Sequence, residues 1–200
     1  VDPFETLDKY GADATRWYMI ANAAPWDNLK FDIDGISEVQ RQLFGTLYNT
    51  YGFYALYANV DGFLVNEKNK IPAKDLQELD RWILSKLNSL IKDATAYYEN
   101  FEPHRAARCI EEFVDEHLSN WYVRLCRRRF WKGEYAQDKI AAYQTLYTCL
   151  LSICKLSAPI APFFMDSLYR DLTKATETEK YESVHLAKFP LSVDKYVNKM

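Results

Sequence analysis

The sequence predicts a mainly α-helical fold in which a small helical connector precedes an antiparallel helical bundle. Three observations support this. Apolar residues recur every three or four positions over four long stretches, as on the buried face of a helix. Pro and Gly separate these stretches, and the connections are short, which favours antiparallel neighbours. The 200 residues, 48% of them hydrophobic, suffice for one substantial core or two small ones.

The connector is predicted to occupy residues 1–34. Its dipeptide Asp2-Pro3 has the order of a helix cap followed by a first helical residue, so a short helix should follow at once. A second helix is expected over Ala12–Ala23, and a short strand around Leu29–Ile33. Because these pieces are too short to supply a bundle-length apolar stripe, the segment is interpreted as a unit separate from the bundle.

The bundle is predicted to occupy residues 35–172, and a polar linker and tail to occupy residues 173–200. Four long helices and a shorter fifth one are expected, and the third should continue or bend near Ser119. Cap residues, Pro and Gly indicate starts or ends at Asp34 or Ser37, Gly62, Pro103, Gly133, Ala158 and Pro162.

The segment Ser119–Lys132 carries five cations and no acid, in a chain whose formal charge is −3. Basic side chains interleaved with Trp and Tyr are typical of surfaces that bind a nucleic-acid backbone and stack on unpaired bases. The candidate RNA-binding residues are Trp121, Arg124, Arg127, Arg128, Trp131 and Lys132. The alternative interpretation is a solvated helix face without a ligand. An overall pI near 5.7 means that any nucleic-acid contact must be local.

Arg129 differs from the other arginines of this segment. At about 100° per residue, it falls in the apolar arc of the predicted helix. The other members of this arc are Leu118, Tyr122, Leu125, Cys126 and Phe130. Because an unpaired buried guanidinium is costly, Arg129 is predicted to form a structural ion pair with a carboxylate such as Asp115 or Glu112.

No motif for catalysis, a cofactor or a metal is recognisable in the sequence. There is no Gly-rich phosphate loop, no G-x-S-x-G and no H-E-x-x-H. The three histidines share no ligand spacing, and the four cysteines form no C-x-x-C pair, which favours free thiols in a reducing cytoplasm. No apolar run has the roughly 20 residues that span a bilayer, so no membrane contact is expected. The start at Val1 is interpreted as that of a segment from a longer protein.

Six short motifs occur in order along the chain. They are VDP with YGADATRW (residues 1–17), TLYNTYGFY through YANVDGF (46–63), LDRWILS (79–85), NWYVR with RRRFW (120–131), SAPIAPF (157–163) and SVHL (183–186). Together they resemble the bacterial isoleucyl-tRNA synthetases, which are class I enzymes. The fourth motif resembles the isoleucine branch most specifically, because the valine branch has an acid where Arg124 stands. Leu125 and Cys126 depart from the family pattern, in which many relatives have Arg and Ser.

The resemblance implies an anticodon-binding bundle of the class I synthetase type, with tRNA(Ile) as its partner. The catalytic domain of the same chain, with ATP, magnesium and the editing domain, would precede Val1, so the segment itself is expected to hold no cofactor and no catalytic residue. A monomer is expected. The alternatives are an anticodon domain of a valine- or leucine-type synthetase, a fragment that retains catalytic residues, and a helical protein-interaction module without an RNA role.

Overall fold

The computed structural model describes residues 2–66, 70–131, 136–176 and 179–193. Within these ranges the chain is mostly helical and contains no strand, which confirms the predicted fold class. The α-helices are α1 (Pro3–Tyr10), α2 (Ala12–Asn22), α3 (Ile33–Val39), α4 (Thr46–Asp61), α5 (Glu78–Glu99), α6 (Pro103–Glu112), α7 (Arg124–Trp131), α8 (Gln137–Ser157) and α9 (Pro162–Thr173). Two π-helical segments, Gln40–Gly45 and Phe113–Val123, join α3 to α4 and α6 to α7 without a break, and short 3-10 helices cover Ala73–Asp75 and Val184–Leu186.

Helix boundaries follow the local signals of the sequence. Pro3, Pro103 and Pro162 each occupy the first turn of their helix, where a missing N–H costs no intrahelical hydrogen bond. Asp2 caps α1 by accepting a first-turn backbone N–H at 2.8 Å. Gly62 ends α4 in the left-handed conformation, with a φ of 65° that residues with a Cβ adopt only at a cost.

Helix α8 lies at the centre of the bundle. It packs against α4, α5, α7 and α9, and its Tyr143, Leu146 and Leu150 are fully buried. Helix α5 packs along α6 and the π-helical segment Phe113–Val123, and a tight turn at residues 100–102 makes α5 and α6 antiparallel neighbours. The long helices therefore enclose one apolar core, as an antiparallel bundle requires.

Helix α2 packs into the same core. Its Trp17 is fully buried, and the helix contacts α3, α6 and α9. Asp13 accepts a hydrogen bond from the Phe164 N–H at the start of α9, and Arg16 Nε donates to the Ile160 carbonyl at 2.9 Å. The core of the described residues thus continues across the predicted boundary at residue 34, and the independence of residues 1–34 stays a prediction.

The strand predicted at Leu29–Ile33 is wrong, because residues 28–32 have no regular secondary structure and Ile33 begins α3. A side chain takes the place of a strand partner. The Tyr18 hydroxyl donates to the Lys30 carbonyl at 3.1 Å and accepts from the Asp32 N–H at 2.8 Å. These backbone groups are therefore satisfied without a β-ladder.

The described residues after α9 fold back onto the bundle. Asp166 accepts hydrogen bonds from the Ser183 hydroxyl at 2.6 Å and from the Val184 N–H at 2.9 Å. Lys155 of α8 lies 2.7 Å from the Glu179 carboxylate. Part of the predicted tail is thus anchored to α8 and α9. Over the described ranges, no helix combines the length and the apolar character needed to cross a membrane.

Candidate nucleic-acid interface

The candidate interface lies at the end of the long helix that runs from Pro103 to Trp131. Buried side chains of this helix recur at intervals of four residues; they are Ile110, Val114, Leu118, Tyr122, Cys126 and Phe130. On an α-helix, each four-residue step overshoots a full turn by about 40°, so this stripe would wind away from the core. The wider turns of the π-helical segment Phe113–Val123 offset that drift. The stripe therefore faces the core along its whole length.

The residues predicted to bind RNA lie on the outer side of this helix. Those that the structure describes are Trp121, Arg124, Arg127, Arg128 and Trp131, and all five are exposed. We call them the basic face. Its two tryptophans leave 56% and 51% of their surface in contact with solvent, although apolar rings are usually covered. Lys132, the sixth residue of the predicted set, lies outside the described residues, as does Gly133.

Leu125 is also exposed, although the helical spacing places it in the buried arc. It leaves 57% of its surface in solvent, whereas its neighbour Cys126 is fully buried. The prediction assumed one continuous α-helix. The π-helical segment, which ends at Val123, has more residues per turn and so changes the direction in which the side chains after it point. Leu125 consequently lies one turn after Trp121 and adds an aliphatic side chain beside the basic face.

Arg129 points inwards and forms a two-point ion pair with Asp80 of α5. Its Nη1 and Nη2 lie 2.7 and 2.8 Å from the two carboxylate oxygens, and Asp80 is fully buried. The Tyr122 hydroxyl donates to the same carboxylate at 2.7 Å, and a carboxylate oxygen of Asp138 in α8 lies 2.7 Å from Nη2. Two acids thus flank one guanidinium, and the Tyr122 hydroxyl adds a hydrogen bond to the first of them.

The predicted partners of Arg129, Asp115 and Glu112, are wrong. They precede Arg129 by 14 and 17 residues on the same helix, which separates them from it by at least about 20 Å along the axis. The actual partner lies on the neighbouring helix. Burial lowers the pKa of Arg129, but the hydrogen bonds and charge of Asp80 more than offset this and raise the pKa above its ordinary value. The guanidinium therefore stays charged and fixes the rotation of α7 against α5.

Arg127 lies over helix α4. Its guanidinium carbon is 5.9 Å from the centroid of the Phe53 ring, within the range of a cation–π interaction. Phe53 in turn packs edge-on against Phe130 at 5.0 Å. On its outer side α4 exposes the large side chains of Tyr48, Leu56 and Val60. The basic face is therefore continuous with an apolar, aromatic surface.

A groove of about 710 Å³ runs between α5 and the long helix, next to the basic face. Its principal side chains are Trp82 and Lys86 from α5 and His117, Trp121 and Leu125 from the long helix. We call these five residues the aromatic groove. The Trp82 ring centroid lies 6.4 Å from that of Trp121 and 5.8 Å from that of His117.

Trp82, Lys86 and His117 are interface candidates that sequence reasoning missed. Lys86 follows Trp82 by four residues on α5, and Trp121 follows His117 by four on the long helix. Each pair therefore occupies one helix face. Such spacing alone indicates only a shared face, and the pairing of the two faces depends on how α5 packs against the long helix.

Charge is separated along the long helix. Its middle carries Glu111, Glu112, Asp115 and Glu116, which line a second cleft of about 490 Å³. Arg108 lies at this cleft and donates to the Ala21 carbonyl at 2.7 Å, so it is engaged with α2. The basic face follows about one to four turns later. Arg124, Arg127 and Arg128 are thus grouped after the acids, whereas Arg105 at the start of the helix is paired with Glu102.

A helical bundle with a basic, aromatic face has features typical of RNA-recognition domains. A family model described as the anticodon-binding domain of tRNA ligase matches residues 80–200, which is more than half of the chain. The chain belongs to this family.

Two curated relatives are isoleucine–tRNA ligases. That of Bacteroides thetaiotaomicron is 59% identical over 199 residues, which are 100% of this chain and 17% of the relative. That of Cytophaga hutchinsonii is 64% identical over 190 residues, which are 95% of this chain and 17% of the relative. The chain therefore spans about a sixth of the curated relatives it matches.

A solved structure has the same fold. It is the ternary complex of Agrobacterium radiobacter K84 agnB2 LeuRS, tRNA and LeuAMS, which is similar over 99% of this chain and 22% of the solved chain. The TM-score is 0.70 and the sequence identity 18%. At this identity the similarity shows the fold alone.

Proposed function

We propose that this chain is the anticodon-binding part of an isoleucine–tRNA ligase and that its basic face contacts tRNA(Ile). The observation that carries the proposal is the basic face itself, three exposed arginines and two exposed tryptophans on one side of a helix in a chain of formal charge −3. Membership of the anticodon-binding family supports an RNA ligand. Identities of 59% and 64% to isoleucine–tRNA ligases favour isoleucine over the valine- and leucine-type alternatives.

The basic face has the two chemical properties that recognition of an RNA loop needs. Arg124, Arg127 and Arg128 supply fixed positive charge for phosphates, which gives affinity without sequence preference. Exposed tryptophan rings supply stacking surfaces for bases that have left the helical stack. Arg129 does not contact the ligand in this proposal. It holds the helix in the rotation that keeps the other arginines outside.

The solved structure with the same fold is a complex that contains tRNA. This supports the idea that the same architecture serves tRNA recognition here. In the proposed whole enzyme, aminoacylation and the binding of ATP with magnesium belong to the catalytic domain of the same polypeptide, and the segment described here positions the tRNA. The proposed enzyme is a monomer, and it is cytoplasmic, a compartment that the four free cysteines found among the described residues fit.

Binding of tRNA(Ile) transcript, measured by fluorescence anisotropy over a range of salt concentrations, tests the proposal. Reversal of Arg124, Arg127 and Arg128 to Glu should weaken binding by at least about 10-fold and reduce the slope of log K against log salt by about 2–3. tRNA(Val) and tRNA(Leu) transcripts in the same assay address the two alternative specificities. Unchanged affinity for tRNA(Ile), with helicity intact by circular dichroism, would contradict the proposal.

A matched control separates a local contact from the effect of net charge. Lys9, Lys92 and Lys188 are exposed and lie outside the basic face. Their reversal to Glu changes the formal charge by the same amount as the arginine reversal. If the basic face is the contact, this control should bind nearly as the unmodified chain does; equal losses from both triple variants would point to a non-local charge effect.

A further inference from the structure

The aromatic groove has a size and lining that suit a single nucleotide. Its volume of about 710 Å³ falls within the range of small-ligand pockets, about 300–1,000 Å³. The Trp82 and Trp121 rings are inclined by 49° with centroids 6.4 Å apart, so the two rings are not stacked face to face. Trp121 leaves 56% of its surface in solvent. One side of an indole ring is thus available to a planar partner.

The walls of the groove are held in place by their neighbours. His117 contacts Trp82 edge-on at 5.8 Å and Phe113 at 6.2 Å, so the Trp82 ring belongs to a chain of three ring contacts. Burial and the nearby charge of Lys86 lower the pKa of His117, which keeps the imidazole neutral near pH 7. A prearranged aromatic wall has less side-chain entropy to lose when a ligand binds.

The charges around the groove favour a polyanion. Lys86 lines it directly. Arg124 follows Trp121 by three residues and Arg128 follows Leu125 by three, spacings at which helix side chains are neighbours. Acids act at the other end of the groove: Glu78 lines it at the start of α5, and the charges of Glu112 and Glu116 act on His117. The phosphates are therefore expected at the end of the groove beside Arg124 and Arg128, where aromatic rings and cations form the combination that binds unpaired nucleotides.

We propose that the aromatic groove binds one unpaired nucleotide of the RNA, with its base stacked on Trp121 and its phosphates contacting the arginines beside it. The inference rests on the proposed function and adds a defined base-binding position to it. In this arrangement Arg124 and Arg128 hold the backbone and Trp121 holds the base. Leu125 forms the apolar edge, which explains why an exposed leucine is tolerated between two arginines.

The test uses the chain and tRNA(Ile) assembled from two RNA pieces, so that one base of the anticodon loop can be omitted at a time. Trp121→Leu should weaken binding of the complete tRNA by about 10-fold, the order of effect of losing one stacked base. Omission of one particular base should weaken binding to the unmodified chain by a similar factor and should have no further effect on Trp121→Leu. This non-additivity identifies the stacked pair, and Trp121→Phe should restore most of the affinity.

Trp26→Leu is the matched control. Trp26 leaves 71% of its surface in solvent and contacts His104 edge-on at 5.7 Å, as Trp82 contacts His117. His104 precedes Trp121 by 17 residues on the same helix, roughly 25 Å along the axis. Trp26→Leu should therefore bind RNA as the unmodified chain does.

The possible failures are distinguishable. If Trp121→Leu binds the complete tRNA as tightly as the unmodified chain while the triple arginine reversal binds weakly, the groove assignment is wrong and the proposed function stands. The same conclusion follows if the effects of base omission and Trp121→Leu simply add at every loop position. If neither the arginine reversal nor Trp121→Leu changes the affinity, or if the unmodified chain does not bind tRNA(Ile), both proposals are wrong.

Discussion

The indole Nε1 of Trp17 donates a hydrogen bond to the Glu111 carboxylate over 2.6 Å. Trp17 belongs to the predicted connector and Glu111 to the long helix that carries the basic face. The Trp17 ring is fully buried and packs edge-on against Phe44 at 6.2 Å. Apolar packing and a charge-assisted hydrogen bond therefore join the two predicted units at this point.

Brief trypsin treatment should cut after the exposed Lys30 without separating the two pieces. The reason is that Trp17 lies in the shared core, so the N-terminal fragment should stay bound and co-elute with the remainder in size-exclusion chromatography. Trp17→Ala, expected to cost about 3–5 kcal/mol, should release the fragment after the same cut. A stable core beginning near residue 34 that elutes alone, without the Trp17 change, would favour a separate connector.

Glu111→Gln should remove a pH dependence of stability. Burial raises the pKa of Glu111 above its ordinary value of 4.5, although the Trp17 hydrogen bond opposes the shift. Between the pKa of the unfolded state and that of the folded state, the folded chain holds more protons than the unfolded chain. The free energy of unfolding should therefore fall as the pH rises from about 4.5 through the folded pKa. Above the folded pKa, Glu111 should cause no further change with pH. The glutamine oxygen can still accept from Trp17, so the variant should be at least as stable as the unmodified chain at pH 7.

The measurement is urea unfolding at a series of pH values from 4 upwards, compared with Glu112→Gln. Glu112 is the exposed neighbour of Glu111, so its replacement controls for the loss of one charge. Identical pH profiles for the unmodified chain and Glu111→Gln would show that the buried carboxylate does not control this dependence.

Arg129→Met should destabilise the fold by about 3–5 kcal/mol, because it leaves the buried Asp80 carboxylate without its counter-charge. Arg127 lies on the same helix, but its guanidinium is exposed and lies over the Phe53 ring. Arg127→Met should therefore lower the free energy of unfolding by at most about 1 kcal/mol. Chemical denaturation of the two variants makes the comparison. Adding Asp80→Leu to Arg129→Met should recover part of the loss, since no lone charge then stays buried; equal small losses from the two single variants would refute the structural role of Arg129.

The isolated chain should show no isoleucine-dependent exchange of pyrophosphate into ATP. Class I activation requires backbone amides and cations around a pyrophosphate leaving group, and the sequence contains no Gly-rich turn that leads into a helix to supply them. The exchange assay is direct. Activity that persists through repurification and is abolished by a substitution in this chain would place catalytic residues within it.

Features that depend on adjacent residues were predictable from the sequence. Pro3, Pro103 and Pro162 start helices because proline lacks a backbone N–H, and the N–H groups of the first turn have no partner within the helix. The outward direction of Arg124, Arg127 and Arg128 was predictable for a similar reason, since helix periodicity relates each residue to its near neighbours.

Features that depend on distant residues were not predictable. Asp80 precedes Arg129 by 49 residues, and nothing in either local sequence indicates that α5 and α7 are neighbours. The Leu29–Ile33 segment has the alternation of a strand, but the Tyr18 hydroxyl satisfies its backbone instead. Leu125 was misplaced because the apolar spacing does not reveal that the helix widens between Phe113 and Val123. In each case a tertiary contact or a change of helix type overrides the local pattern.

The separation of acids and arginines along the long helix has a consequence for how a ligand arrives. A polyanion that approaches the acids and the basic face experiences a torque before it touches the surface, because the acidic cluster repels it while the arginines after it attract it. Productive encounters are therefore selected by orientation as well as by distance. An acidic protein can in this way capture RNA rapidly in one direction of approach while it repels the same RNA elsewhere on its surface.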